Sequence, residues 1–191
     1  MSREAFTAGV KPGGLTNTTQ IRILLCYLIR TVAQPLSRQE LESALLEQQL
    51  VNYFELAAGL ADLEQQKLVL LEKGRYHITP EGRKVADLLL THLPRSVREQ
   101  AVQAAVLAQQ YARKAAENQA VVRHTRDGWQ LDCRIQELDR EVFSLSLLMP
   151  DQATAEAARD AFIHKGGDFY KILLAMFSGN ETLAAEWLQK L

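Results

Sequence analysis

The chain has 191 residues, 47% of them hydrophobic, which is enough apolar material for one or two small globular domains. Its formal net charge is −1, so bulk charge attracts it neither to nucleic acid nor to an anionic membrane. No apolar run approaches the ~20 residues that span a bilayer, and residues 1–14 lack the apolar core of a signal peptide. These features predict a cytoplasmic protein with no membrane partner, in which residues 1–15 form a flexible tail.

Three helices are the first elements predicted after this tail. Thr16 or Asn17 caps the first helix, and Pro35 ends it because proline disfavours helical geometry in the residue before it. Ser37–Glu40 is a capping box that begins the second helix, and Asn52 begins the third. Apolar residues at helical spacing mark the buried faces of these helices: Ile21, Leu24, Leu25, Leu28, Ile29 and Val32; Leu41 and Leu45; Leu56, Leu60 and Leu63.

Two short apolar runs around a Lys73-Gly74 turn predict a β-hairpin with strands over residues 68–72 and 75–79. Thr79-Pro80-Glu81 then begins a fourth helix, with a capping residue, a proline at the first helical position and an acid near the positive end of the helix dipole. This order of elements predicts a helix-turn-helix core followed by a wing. We therefore expect a winged helix-turn-helix domain over residues 16–93.

Three segments of this domain resemble bacterial winged-helix regulators: Leu36–Leu41, Leu63–Val69 and Tyr76–Gly82. The start of the third helix, Val51–Phe54, together with the longer C-terminal extension, resembles one uncharacterised bacterial family. That family is a domain of unknown function in which a winged helix precedes a small α+β region. The closer resemblance implies a fold and carries no established activity.

In winged-helix regulators the third helix enters the major groove, and the wing touches the neighbouring backbone. The resemblance therefore nominates residues on both elements: Asn52, Tyr53, Glu55, Ala58, Gly59 and Asp62 on the helix, with Lys73, Arg75 and His77 on the wing. It implies that Asn52 pairs with adenine and that Tyr53 reaches a phosphate. Arg38 joins this set if the basic residues of the domain gather on one side.

The local charges argue against an ordinary DNA-binding face. Residues 52–66, which include the third helix, hold three acids and no lysine or arginine. Residues 17–91 hold eight basic and nine acidic residues. Because phosphate neutralisation supplies most non-specific affinity, a DNA-binding face is expected to be basic. Two alternatives stay open for five basic residues of the domain. They either form a common stripe on one side or are ordinary solvated charges: Arg38, Lys73, Arg75, Arg83 and Lys84.

Residues 94–191 predict a long helix followed by a small α+β module. The helix begins at Pro94 and ends near Glu117, and one narrow face of it, from Val97 to Ala115, consists mostly of small side chains. Such a face permits close approach of another helix, either within the domain or across a homodimer seam. The sequence favours neither alternative over the other.

A three-stranded antiparallel sheet is predicted next, with apolar side chains on one face only. Its first two strands, residues 121–126 and 129–135, form a hairpin around an Asp127-Gly128 turn with positive backbone angles, and residues 142–149 add a third strand. The predicted hairpin register pairs three residues of each strand: His124 with Leu131, Val122 with Cys133, and Arg123 with Asp132. Three helices complete the module: residues 152–164, residues 168–177 beyond a stop at Gly166-Gly167, and a last short one.

No pattern in the sequence points to catalysis. The four histidines are scattered without a second ligand at metal spacing, and the common hydrolase, zinc-protease and phosphate-loop motifs are missing. Cys26 and Cys133 lie in apolar patterns, which favours burial in a reducing compartment over a disulfide. We therefore predict no catalytic residue, no metal site and no cofactor, and a protein that is not an enzyme.

Two functions remain. The first is a cytoplasmic transcriptional regulator whose winged helix binds double-stranded DNA and whose C-terminal module dimerises or senses an effector. The second is a winged-helix interaction module that binds protein partners and no DNA, which explains the missing basic charge better. Analogy at the level of the fold is what supports the first.

Overall fold

The structure, a computed structural model, describes residues 8–138 and 140–190. The chain divides into two compact units, and the division falls between Gln110 and Tyr111. Each unit contains a three-stranded antiparallel sheet with helices, which confirms the α+β class. The sequence places the domain boundary at residues 93 and 94 instead, before the long helix. Within the described part of the chain, no helix is long and apolar enough to cross a membrane.

The described residues of the N-terminal unit form four α-helices, three short strands and the first turns of a fifth helix. They follow in this order: α1 (Thr18–Thr31), β1 (Leu36–Ser37), α2 (Arg38–Glu42), α3 (Tyr53–Gln65), β2 (Val69–Glu72), β3 (Arg75–Ile78), α4 (Pro80–Leu89) and α5 (Arg95–Glu117). A π-helical turn at Ser43–Glu47 extends α2, and a 3-10 turn at Leu90–His92 follows α4. The strand order is β1-β3-β2, so β1 adds to the predicted hairpin a third strand that the sequence pattern does not predict.

The first four helices begin at the side-chain caps that the sequence predicts. Asn17, Ser37, Asn52 and Thr79 each accept a hydrogen bond from a backbone N–H of the first turn. Of the two caps considered for α1, the structure uses Asn17. The capping box of α2 is complete: the Ser37 N–H donates to Glu40 Oε2 at 2.7 Å, and Ser37 Oγ accepts the Glu40 N–H at 3.2 Å. Each such cap stabilises its helix by about 1 kcal/mol.

Aliphatic side chains of α1 lie at the centre of the N-terminal core, as their helical spacing predicts. Val97, Ala101 and Ala105 of α5 are buried in the same core. They belong to the small-residue face for which the sequence leaves two alternatives, and at these positions the face packs within the unit. These three side chains are therefore unavailable for the predicted homodimer seam along Val97–Ala115.

Part of the predicted flexible tail is bound to the N-terminal unit. Residues 1–7 of that tail lie outside the described residues. Beyond them, the Lys11 N–H donates to the Gln49 carbonyl at 2.9 Å and the Leu15 N–H to the Leu50 carbonyl at 2.8 Å, while the Leu15 side chain is buried. The sequence does not predict this attachment, because backbone hydrogen bonds require no particular side chain.

The C-terminal unit begins with the last turns of α5. Its further elements are β4 (Asn118–Thr125), β5 (Gly128–Glu137), β6 (Arg140–Met149), α6 (Gln152–Phe177) and α7 (Glu181–Leu188). The strands lie in the order β4-β5-β6, all antiparallel, which confirms the predicted sheet. In this order β4 and β6 are the two edges, and α6 packs mainly on β4 and β5.

The predicted register of the β4–β5 hairpin is wrong by two residues. Thr125 pairs with Gly128, so Arg126-Asp127 forms the turn, and Gly128 takes the positive φ of 128° while Asp127 does not. The observed pairs are His124 with Trp129, Val122 with Leu131, and Arg123 with Gln130. Because side chains alternate with a period of two, the shift leaves every residue on its predicted face. Arg123 and Asp132 become diagonal neighbours, with 3.5 Å between Nε and Oδ2.

The predicted helix stop at Gly166-Gly167 is also wrong, because α6 runs through both glycines. Gly166 is buried against Asn118 of β4, where a Cβ on residue 166 would lie 2.9 Å from Asn118 Cγ. Asn118 Nδ2 donates to the Ile163 carbonyl at 3.0 Å. Gly166 thus allows the helix to approach the sheet, and this packing offsets a helix-propensity cost of about 1 kcal/mol per glycine.

Candidate nucleic-acid interface

Arg38 and Tyr53, two of the nominated DNA contacts, touch each other on the surface of the N-terminal unit. Arg38 Nη2 donates to Tyr53 Oη at 3.2 Å, and the guanidinium carbon lies 6.0 Å from the centre of the Tyr53 ring. Arg38 Nε also donates to Glu42 Oε1 at 2.8 Å, and this hydrogen bond raises the pKa of Arg38 above its usual value. Arg38 and Tyr53 therefore form a polar pair where α2 faces the beginning of α3, and part of the cationic charge is balanced by Glu42.

Arg75 is held by hydrogen bonds within the N-terminal unit. Its Nη1 donates to the Pro35 carbonyl at 2.8 Å and to Glu40 Oε2 at 3.1 Å. Glu40 is only 4% exposed, and the same carboxylate completes the capping box with Ser37. Arg75 therefore neutralises a buried acid, which makes it a structural residue whatever else the hairpin contacts.

Asn52 is buried, and both polar atoms of its side chain are engaged. Oδ1 accepts the Phe54 N–H at 2.8 Å, and Nδ2 donates to the Ala8 carbonyl at 2.5 Å. The helix cap is where the sequence predicts it. A contact between the Asn52 side chain and adenine, the role that the resemblance implies, would require both hydrogen bonds to break.

Lys73 and His77 occupy different parts of the hairpin. Lys73 is exposed in the turn between β2 and β3, with φ at 49°, and Gly74 follows it at φ 76°. His77 is half-buried on β3 and pairs with Leu70. The structure therefore places Lys73 at the tip of the hairpin, whereas His77 lies along its length.

Two other residues nominated on the third helix contact α1. Gly59 is buried, and a Cβ there would lie 2.9 Å from Leu25 Cδ1. Asp62 forms an ion pair with Arg22 of α1. Gly59 therefore permits close helix packing, and Asp62 links α3 to α1.

The outer face of α3 consists of its five exposed residues, none of which is charged: Tyr53, Phe54, Ala58, Ala61 and Gln65. Phe54 is 67% exposed, and its ring meets that of Tyr53 edge-on at 5.7 Å between centroids. The apolar spacing in the sequence identifies the buried face of this helix and does not single out the aromatic residue on the outside. The i, i+4, i+7 spacing of Phe54, Ala58 and Ala61 is the pattern that would have revealed it.

The acids, histidines and thiols that the structure describes are not arranged as a metal site. Across residues 8–138 and 140–190, no three His, Cys, Asp or Glu side chains are grouped so that they could hold a metal ion.

Cys26 and Cys133 are buried free thiols, as predicted, and burial raises the pKa of each to about 11. On the polar face of the C-terminal sheet, hydrogen bonds from Ser146 and Gln130 lower the pKa of Asp132. This keeps Asp132 charged and unsuited to donate a proton near neutral pH.

Comparison with curated proteins and with solved structures found no match. A family model does match, over residues 21–177, which is most of both units and extends from α1 to the end of α6. Its description names no activity, and the match confirms the resemblance to an uncharacterised domain-of-unknown-function family. The chain belongs to the family described as Domain of unknown function (DUF4364).

Proposed function

We propose that the N-terminal unit is a winged helix-turn-helix domain and that the protein is a transcriptional regulator that binds double-stranded DNA. The observation that carries this proposal is the element order α1-β1-α2-α3-β2-β3 around one small sheet. In this order α2 and α3 make the helix pair, and the β2–β3 hairpin supplies the wing. The C-terminal unit dimerises or senses an effector.

Three residues are our proposed DNA contacts: Arg38, Tyr53 and Lys73. Recognition helices commonly touch base edges with their N-terminal residues, and Tyr53 is the first residue of α3. Arg38 lies beside it, and Lys73 is exposed at the tip of the hairpin. We leave out Asn52 and Arg75, because their polar atoms hold the unit together.

A protein-binding module is the second candidate, and the outer face of α3 favours it. Phe54 is largely exposed there, and Leu70 and Leu71 are exposed on β2. An uncharged aromatic face gains little from phosphates, whereas aromatic side chains are enriched where proteins meet. In this alternative, α3 contacts an apolar surface of a protein partner and no DNA.

The deciding experiment is the fluorescence anisotropy of a labelled random-sequence duplex with the full chain at about 50 and 200 mM salt, a range over which phosphate-driven binding collapses. We expect binding that weakens steeply with salt. Lys73→Ala should weaken it on all sequences and reduce the salt slope by about one. Arg113→Ala, which removes one exposed cation from the C-terminal unit, is the matched control and should leave the slope unchanged.

The other outcomes separate the two candidates. No binding at about 100 μM protein and the lower salt, weaker than typical non-specific affinity, would contradict the regulator and favour the protein-binding module. Partner capture that Phe54→Ala abolishes would then support the second candidate. Duplex binding that Lys73→Ala leaves unchanged would exclude the hairpin tip as a DNA contact.

A further inference from the structure

β6 is a free edge of the C-terminal sheet. It is ten residues long, and among residues 8–138 and 140–190 it pairs with β5 alone. In an antiparallel pair, every second residue of an edge strand points its N–H and C=O groups away from its neighbour. β6 therefore presents a row of backbone donors and acceptors that another strand can bind.

Most of β6 lacks the usual protections of an exposed edge, although its first two residues, Arg140 and Glu141, are charged and the pairing with β5 shifts register beside them. Proteins block such edges with charged side chains, prolines or a covering element. Val142–Met149 contains no charged residue and no proline, and α6 covers β6 less than it covers the other strands. The opposite edge differs, since β4 packs closely against α6. Of the two edges, β6 is the one suited to pairing.

Apolar side chains are exposed on both faces of this edge. On the face towards α6, Leu131 of β5 is buried, whereas Leu147, its neighbour on β6, is 42% exposed. On the opposite face, Leu148 is 64% exposed. A strand placed beside β6 would bury apolar surface on both faces in addition to pairing the backbone.

We propose that β6 pairs antiparallel with β6 of a second copy of this chain, joining two sheets into one of six strands. An antiparallel edge is self-complementary under a two-fold axis, because residue i meets j while j meets i. An axis at Leu145 places Phe143 opposite Leu147 of the second copy, which keeps the apolar faces continuous.

This pairing specifies the dimerising role that we propose for the C-terminal unit, but it does not rest on DNA binding. Its test is the oligomeric state of the full chain, measured by light scattering after gel filtration from about 1 to 100 μM, where a micromolar dimer changes state. The double variant Leu147→Lys/Leu148→Lys puts charges on both faces of the edge, at exposed positions. The matched control is Val121→Lys, at an exposed apolar position on β4.

We expect the wild type and the Val121→Lys control to be dimers, and the double variant to raise the dimer dissociation constant at least about tenfold. Hydrogen exchange should show β6 amides that are protected in the wild type and exchange at least about tenfold faster in the variant, with β4 unchanged. If circular dichroism shows that the double variant is unfolded, Leu148→Lys alone provides the same test. A monomeric wild type, a dimer that the β6 variants do not weaken, or one that Val121→Lys weakens equally would overturn the proposal.

Discussion

At the scale of single residues, the carboxylate of Glu40 connects local and distant structure. Its bond to the Ser37 backbone is a capping box, which the sequence predicts because the two residues lie within one turn. Its hydrogen bond with Arg75 joins α2 to β3 across 35 positions, and no local sequence pattern predicts this contact. Arg75, which the resemblance nominates for DNA binding, therefore has a structural role.

Replacing Arg75 tests that role. Arg75→Ala leaves the buried Glu40 carboxylate without its counter-charge, and we expect the free energy of unfolding to fall by about 1–2 kcal/mol. This figure is discounted because the Arg75 side chain is 47% exposed. Arg38→Ala, the control, removes a solvent-exposed ion pair with Glu42 and should lower the free energy of unfolding less than Arg75→Ala does. The free energies of unfolding are measured by urea denaturation. If both variants lose the same amount, the buried Glu40 carboxylate does not depend on Arg75 as its counter-charge.

The thiols of Cys26 and Cys133 provide a test of the burial of these two side chains. With a pKa of about 11, each thiol of the native protein is about one part in a thousand ionised at pH 8, against about a quarter for a free cysteine. We expect thiol labelling at pH 8 to be at least about a hundredfold slower in the native protein than in urea. Because folding raises the pKa, this contribution to stability is complete below about pH 8.5 and is lost as the pH rises towards 11. Fast native labelling of Cys26 or Cys133 would contradict the burial.

At the scale of single elements, α6 shows packing overriding a local preference. A glycine pair favours a helix stop in isolation, but Gly166 lies where only a glycine allows the backbone to approach Asn118. At Gly167, one residue further, an added Cβ would meet no atom within 4 Å. The two glycines therefore occupy different environments although they are adjacent in sequence.

Alanine at each of these glycines should change the stability in opposite directions. Gly167→Ala gains helix propensity at an open position and should stabilise the protein by about 0.5–1 kcal/mol. Gly166→Ala forces a methyl group against a buried side chain and should destabilise it by about 1–3 kcal/mol. Thermal unfolding of both variants provides the comparison. Stabilisation by both would show that Asn118 moves aside at little cost.

At the scale of the whole molecule, α5 contributes to both units. Its first turns bury Val97, Ala101 and Ala105 in the N-terminal core, while Lys114 Nζ donates to the His164 carbonyl at 3.0 Å in the C-terminal unit. The surfaces of our two proposals lie on different units, α3 with its hairpin on one and β6 on the other. Duplex binding and self-association can therefore fail independently, and each measurement identifies the proposal that it contradicts.

The sequence by itself determined the caps of the first four helices, the buried faces of these helices, the presence of both hairpins and the apolar face of the C-terminal sheet. These features depend on residues a few positions apart, which share a turn of helix or one face of a strand. The family resemblance also came from the sequence, and the match over residues 21–177 confirms it at the level of a domain of unknown function.

Only the tertiary structure decided which nominated residues face solvent. Asn52 is bonded to Ala8, 44 positions away, and Arg75 is bonded to Glu40. Tertiary packing also added β1 to the hairpin and kept α6 unbroken at Gly166. The physical reason is common to all of these: each depends on a partner brought close by the fold, and spacing along the chain does not identify such a partner.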